Sequence, residues 1–153
     1  MARILSLDDE LGTVTVLGAI LQNAGYESLY TTNDQEALTI LRTKDIDLFT
    51  QDFVRPGGGG CEFLRKMKAD EALRRIPVLG ISAWTRENVA EELGRAGLEI
   101  DRDLDGYLRK PITSSDLLRA VEAILTKHAK PLPPRNTRAR PEKKRGTKWK
   151  KRR

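Results

Sequence analysis

Residues 48–60 read Leu-Phe-Thr-Gln-Asp-Phe-Val-Arg-Pro-Gly-Gly-Gly-Gly, and this stretch constrains the chain more than any other. Leu48 and Phe49 open an extended segment that delivers one carboxylate, Asp52, to its end. The segment then breaks for chemical reasons. Pro56 fixes φ and cannot donate to a strand ladder, and Gly57, Gly58, Gly59 and Gly60 remove side-chain restraint from the turn. An acid at the carboxyl end of a strand sits where open α/β sheets place their chemistry.

The rest of the chain supplies the alternation such a sheet needs. Residues 3–7 are a short, mostly apolar run ending in Asp8-Asp9, which predicts a buried parallel strand with acids at its carboxyl end. Residues 10–24 carry Val14, Leu17, Ile20 and Leu21 at helical spacing, with Gly25 as the stop. Aromatic and β-branched residues over 26–31 predict a second strand. Asn33 to Glu36 has the form of a capping box, opening a helix to about Thr43, and residues 47–51 make the third strand.

Beyond the glycines, Phe63, Leu64 and Met67 share a helical face, and residues 76–82 form a fourth strand begun by Pro77. Thr85 can cap a helix whose apolar face is Val89, Leu93 and Ala96 and whose end is Gly97. Residues 98–105 form a charged connection longer than most helix-to-strand loops. A short fifth strand centres on 106–108 and stops at Lys110-Pro111. Thr113 and Asp116 predict a second capping box, with Ile112 and Leu117 as its hydrophobic staple and Leu117, Val121, Ile124 and Leu125 as the buried stripe. Five strands alternating with five helices predict a parallel sheet covered on both faces.

Charge divides the chain in two. Of 28 Lys/Arg and 22 Asp/Glu, residues 130–153 hold 12 and one, so this stretch carries net +11 and the remainder net −5. Pro131, Pro133 and Pro134 among basic residues with hardly any apolar content predict disorder. The expected organisation is a folded domain over 1–128 and a basic, proline-containing tail over 129–153. A single cysteine, Cys61, excludes an internal disulfide and a multi-thiolate metal site, and reads as a small buried or half-buried apolar residue in a reducing compartment. The apolar run before Asp8 is too short for a signal-peptide core, and no run is long enough to span a bilayer, so the expected location is cytoplasmic.

Asp8, Asp9 and Asp52 stand at the carboxyl ends of the first and third strands. Carboxylates crowded there repel one another unless a cation offsets them, and hard oxygen ligands suit Mg²⁺. A cation beside an aspartate also prepares it for phosphoryl transfer. The fourth strand ends in Ser82-Ala83 and the fifth in Lys110-Pro111, offering a hydroxyl and an ammonium at the same edge. Taken singly, Lys110 also reads as a surface lysine before a helix, Ser82 as a small turn residue, and the acids as solvated loop ends. Asp45 and Asp47 superficially offer the paired acids of an aspartate-nucleophile phosphatase, but they precede their strand, and the chain has little room for a substrate cap. His128, the only histidine, suits the carboxyl end of a helix dipole better than a phosphate carrier.

In order along the chain stand Asp8-Asp9-Glu10, Asp52 followed by Pro56 and Gly60, Ser82-Ala83, and Tyr107 with Lys110-Pro111. With this series the sequence resembles the response-regulator receiver domain of two-component signalling, in its single-domain, chemotaxis-receiver-like form, from Ala2 to about His128. The resemblance implies a flavodoxin-like doubly wound (βα)5 fold with strand order 2-1-3-4-5. It implies that Asp52 accepts phosphate from a histidine kinase or histidine phosphotransfer protein. Asp9, Asp52 and the Val54 carbonyl would bind Mg²⁺ directly, and Asp8 would act through water. Lys110 would pair with the phosphoryl group, Ser82 would move toward it, and Tyr107 would turn inward, reshaping the surface of helix four, strand five and helix five for an output partner. Val54 and Trp84 would border the path of the hydrolytic water. Such a protein is a phosphoacceptor that phosphorylates and dephosphorylates itself, not an enzyme acting on a separate substrate. The competing class is an interaction module that keeps the fold without taking phosphate.

Four positions depart from the family pattern without removing a required group: polar Thr50 and Gln51 in the third strand, Arg55 where methionine is usual, and the long 98–105 connection. No helix-turn-helix or other DNA-reading domain follows, which argues against a sequence-specific transcription factor. The tail reads either as a solubilising or vestigial linker or as an electrostatic attachment to nucleic acid, an anionic membrane face or an acidic protein, with Trp149 available for stacking. On the second reading it should bind polyanions without sequence preference. If about five of its charges meet phosphates, log K should fall with log salt at a slope of roughly −4 to −5. A protein ending at Ala129 should lose retention on a nucleic-acid column, and identical elution of the two forms would contradict this reading.

Overall fold

The computed structural model of the chain describes residues 1–54 and 59–129. Arg55, Pro56, Gly57 and Gly58, and the basic tail from residue 130 with Trp149, lie outside the described residues. The elements run β1 (Arg3–Leu7), α1 (Leu11–Asn23), β2 (Glu27–Thr31), α2 (Asp34–Thr43), β3 (Leu48–Gln51), α3 (Gly59–Ala69), β4 (Val78–Ser82), α4 (Arg86–Arg95), α5 (Ile100–Asp103), β5 (Gly106–Arg109) and α6 (Ser114–Lys127). All strand pairs are parallel, in the order β2-β1-β3-β4-β5, so the sheet is doubly wound and flavodoxin-like.

Alternation along each central strand divides its apolar side chains between two layers. Leu5, Leu7 and Phe49 share a core with Leu41 of α2, Phe63 and Leu64 of α3, and Val89 and Leu93 of α4. Ile4, Leu48, Leu79 and Ile81 share the other with Leu17 and Leu21 of α1 and Leu117, Val121 and Ile124 of α6. Helices on both faces explain why β1, β3 and β4 read as near-continuous buried runs.

The helix ends follow the expected signals with local substitutions. Asn33, Thr85 and Thr113 each accept from the amide three residues on, at 2.8, 3.1 and 3.0 Å. The reciprocal halves of the two capping boxes do not form. Thr31 takes both groups at α2: its hydroxyl donates to Glu36 and its oxygen accepts from the Asn33 amide at 3.1 Å. At α6 the Asp116 carboxylate pairs with Arg119 at 3.3 Å instead. Gly25 and Gly97 adopt φ of +99° and +80°, the left-handed values that end α1 and α4.

One expectation is corrected. The connection over 98–105, read as a loop between five helices, contains a sixth among the described residues, α5. Four residues are too few to show helical periodicity, so the pattern hides it. Asp103 closes the turn, its Oδ2 accepting from the Glu99 amide and from Arg102 Nη2, both at 2.8 Å, while Leu98 and Leu104 bury on either side. Burial alone would push the Asp103 carboxyl up, but the Arg102 guanidinium and the Glu99 amide outweigh it and hold it below its ordinary 3.8. A carboxyl depressed by folding contributes stability above its unfolded value and loses it as pH falls through the folded one. Asp103→Asn should therefore cost about 1–3 kcal/mol in urea unfolding near neutral pH, with the difference from wild type shrinking as pH falls below the ordinary 3.8. An equal cost at both ends of that range would contradict the assignment.

Candidate functional site

Strand register assembles the site. Leu7 pairs with Gln51, so the next residue on each strand, Asp8 and Asp52, emerges side by side, tied by the Asp52 amide to the Leu7 carbonyl at 3.1 Å. Ser82 pairs with Arg109, which brings Lys110 to the same edge, its amide 2.8 Å from the Ser82 carbonyl. All four therefore stand at the carboxyl ends of strands, around the β1/β3 point where the strand order reverses.

Lys110 Nζ lies 2.7 Å from Asp8 Oδ2 and 3.0 Å from Asp52 Oδ2, with the two acid side chains only 3% and 6% exposed. Their other oxygens accept from backbone: Asp8 Oδ1 from the Glu10 amide and Asp52 Oδ1 from the Val54 amide, each at 2.9 Å. Asp9 is exposed at the rim, and single carboxylate oxygens of Asp8, Asp9 and Asp52 come within 4.8 Å of one another. Two buried carboxylates thus share one ammonium while a third acid faces them. Burial pushes the Asp52 carboxyl above its ordinary 3.8 even though the Val54 amide and Lys110 pull it down. Burial would also deprotonate Lys110, but its hydrogen bonds to Asp8 and Asp52 hold it above its ordinary 10.5. Among the described residues the pocket holds more carboxylates than cations, and its hard oxygen donors fit Mg²⁺.

Ser82, fully buried, forms a second cluster. Its Oγ lies 2.7 Å from the Tyr107 hydroxyl and accepts from the Trp84 amide at 3.3 Å, while the Tyr107 hydroxyl donates to the Trp84 carbonyl. With the tyrosine proton committed to that carbonyl, Ser82 is the donor to Tyr107. Tyr107, the residue the resemblance has turning inward, is held inward by Ser82 and the Trp84 carbonyl, which both engage its hydroxyl. Burial raises the phenol above its ordinary 10.0. Val54 and Trp84, the two expected neighbours of the hydrolytic path, are both half-buried.

The rejected alternatives fall elsewhere. Asp47 precedes β3 and accepts from the Arg3 amide at 2.8 Å, and His128 contacts Asp105, just before β5, at 2.8 Å. Both lie at the amino ends of the strands, opposite the acid pocket. The sequence reading missed an apolar groove between α1 and the turn after β5, lined by Gly12, Val16, Ile20, Ile81, Pro111 and Ile112, with Lys110 on its border. A signal existed: Val16 falls off the buried Val14–Leu17–Leu21 phase of α1 and is 60% exposed.

The fold and site together define a doubly wound α/β protein with a cation-seeking acidic pocket at its strand ends. The family model for the response regulator receiver domain matches residues 4–122. The phosphate regulon transcriptional regulatory protein PhoB of Pseudomonas aeruginosa is 32% identical over 122 residues, covering 80% of this chain and 51% of that protein. The chain thus spans about half the length of PhoB. Chemotaxis protein CheY-3 of Vibrio cholerae is 29% identical over 123 residues, covering 80% of this chain and 90% of that protein. Among solved structures, Vibrio cholerae chemotaxis protein CheY4 superposes with a TM-score of 0.69 at 25% identity, over 81% of this chain and 98% of that one. The receiver domain of a Syntrophus aciditrophicus signal transduction histidine kinase gives 0.72 over 90% and 99%, and at 23% identity it supports the fold alone. The chain belongs to the response regulator receiver domain family of two-component systems. No helix among the described residues is long and apolar enough to cross a membrane.

The shared ammonium makes a direct prediction. Lys110→Met keeps the length of the side chain but removes its charge, so the Asp52 carboxyl should rise further above 3.8. A carboxyl-carbon NMR titration reads this, and an unchanged or lower value would contradict the pairing.

Proposed function

We propose that Asp52 accepts a phosphoryl group from a phosphohistidine on a histidine kinase or histidine phosphotransfer protein. The observation that carries this reading is Lys110 held between Asp8 and Asp52 at the carboxyl edge of the sheet. A carboxylate oxygen of Asp52 attacks phosphorus, the phosphorus–nitrogen bond breaks, and the imidazole keeps the electron pair and takes a proton. Lys110, already 3.0 Å from Asp52 Oδ2, follows the new charge onto a phosphoryl oxygen. Asp9, Asp52 and the Val54 carbonyl would hold Mg²⁺ directly and Asp8 through water; when bound, the ion supplies neutralising charge for the phosphoryl oxygens. The donor docks on the apolar α1 groove, which borders Lys110.

Ser82 links chemistry to response. Its hydroxyl has one proton, so donating to a phosphoryl oxygen withdraws that proton from Tyr107. The tyrosine then repositions and alters the α4–β5–α6 face for an output partner. The protein is in this reading a self-phosphorylating and self-dephosphorylating switch over residues 1–128, placed in the cytoplasm, with a basic segment over 129–153 whose charge suits polyanions. The competing reading is an interaction module that keeps the fold without taking phosphate.

Mg²⁺-dependent labelling by a small phosphodonor separates the two. Wild type should label, and Asp52→Asn should not, because the amide loses both the nucleophile and a ligand charge. Stoichiometric labelling of Asp52→Asn would sink the assignment. The lifetime of the phosphoryl group provides a further check. Val54 and Trp84 are apolar and cannot orient a water, so self-dephosphorylation should be slow and should quicken when Val54 is replaced by Glu or Asn. Rapid loss from wild type, followed by phosphate release, would contradict this.

A further inference from the structure

Gln51 is 1% exposed at the end of a buried parallel strand, on the same face as Phe49, where an apolar residue would be the ordinary occupant. Its Nε2 donates to the Gly60 carbonyl at 2.5 Å, in the first turn of α3, while its Oε1 is buried with no partner among the described residues. An unpaired buried acceptor is unfavourable, and leucine or methionine would avoid it. The bond that the amide does make therefore needs an account.

Two successive inward rungs of β3 face two successive inward positions of α3. Phe49 meets Phe63, with ring centroids 5.7 Å apart, and Gln51 meets Gly60. At Gly60 the backbones of the two elements touch: a Cβ there would lie 2.6 Å from the Phe53 Cα and 3.0 Å from the Asp52 carbonyl. Gln51 thus pins the start of α3 against the backbone of the phosphoacceptor and its successor. The segment from Asp52 to Gly60 is tied near its start by the Val54 amide to Asp52 Oδ1 at 2.9 Å, and at its far end by Gln51. Val54, whose carbonyl belongs to the proposed ligand set, lies between the two ties.

We propose that Gln51 is a positioning residue for the acid pocket, holding α3 and the Val54 backbone in the arrangement that binds a divalent cation. The proposal rests on the reading of that pocket as an Mg²⁺-dependent phosphoacceptor site. Gln51 touches neither ion nor phosphate; it acts through the Gly60 carbonyl and the Asp52–Phe53 backbone.

Gln51→Met approximately conserves volume, removes the donor to the Gly60 carbonyl, and also removes the buried, unpaired Oε1. Its thermal midpoint should equal or exceed that of wild type, whereas its Mg²⁺ dissociation constant, measured calorimetrically with MgCl₂ alone, should rise about tenfold, the lower end of losses for residues that support metal ligands. Amide hydrogen exchange at Val54 should accelerate in the same variant. A purely structural residue would move the midpoint and leave the affinity unchanged. Gly60→Ala approaches the same contact from the helix side and should weaken Mg²⁺ binding as well, which keeps the test decisive if Gln51→Met does not fold. Wild type that binds Mg²⁺ together with variants that bind it equally well overturns the positioning role alone. Wild type that shows no Mg²⁺ binding overturns the reading of the pocket and this proposal with it.

Discussion

One ammonium shared by two buried carboxylates is the interaction on which the site depends. Among the described residues, Lys110 pairs with Asp8 and Asp52 together and brings one positive charge to two negative ones, with Asp9 adding a third at the rim. Buried charge that is only partly compensated is costly, and the raised Asp52 carboxyl is the trace of that cost. Such a pocket gains from any additional cation that reaches its open side. In the proposed reaction a phosphoryl group on Asp52 would need the same lysine, so ground-state pairing and phosphoryl recognition would compete for one group.

The sheet makes this arrangement unavoidable. Parallel register places Asp8 beside Asp52 and Lys110 beside Ser82, and the two apolar layers fix the strands that carry them. No loop has to find the geometry by itself. The links outward are also backbone-anchored: Ser82 reaches Tyr107, and Tyr107 reaches the carbonyl of Trp84 just before α4. In the proposed reaction, a phosphoryl group on Asp52 that drew the Ser82 hydroxyl would reach α4 and β5 through hydrogen-bond exchange rather than through rearrangement of the core.

Most of this was legible in residue order because each signal was local. Leu7 gives way abruptly to Asp8-Asp9 and Ile81 to Ser82, and Pro56 with its glycines and Pro111 break the chain after Asp52 and Lys110. Thr85, Thr113, Gly25 and Gly97 mark helix ends by chemistry that needs no tertiary context. What was missed depends on long-range contact. α5 is a single turn closed by Asp103, too short for periodicity. Thr31 replaces the reciprocal half of the α2 capping box from a neighbouring strand end, which no pattern within the helix reveals. Gln51 was visible as a polar residue out of place, but its partner nine residues on is set by how α3 packs. The inward position of Tyr107 likewise depends on the Trp84 carbonyl across the strand pair.

The central claim is that the acid pocket is a cation short. Thermal unfolding with MgCl₂ against NaCl at matched ionic strength tests it most directly, because screening is equalised and only specific binding remains. The account predicts a saturable rise in midpoint with Mg²⁺, equivalent to roughly 2.7 kcal/mol at about one hundred times the dissociation constant. Identical midpoints in the two salts across the titration would contradict it.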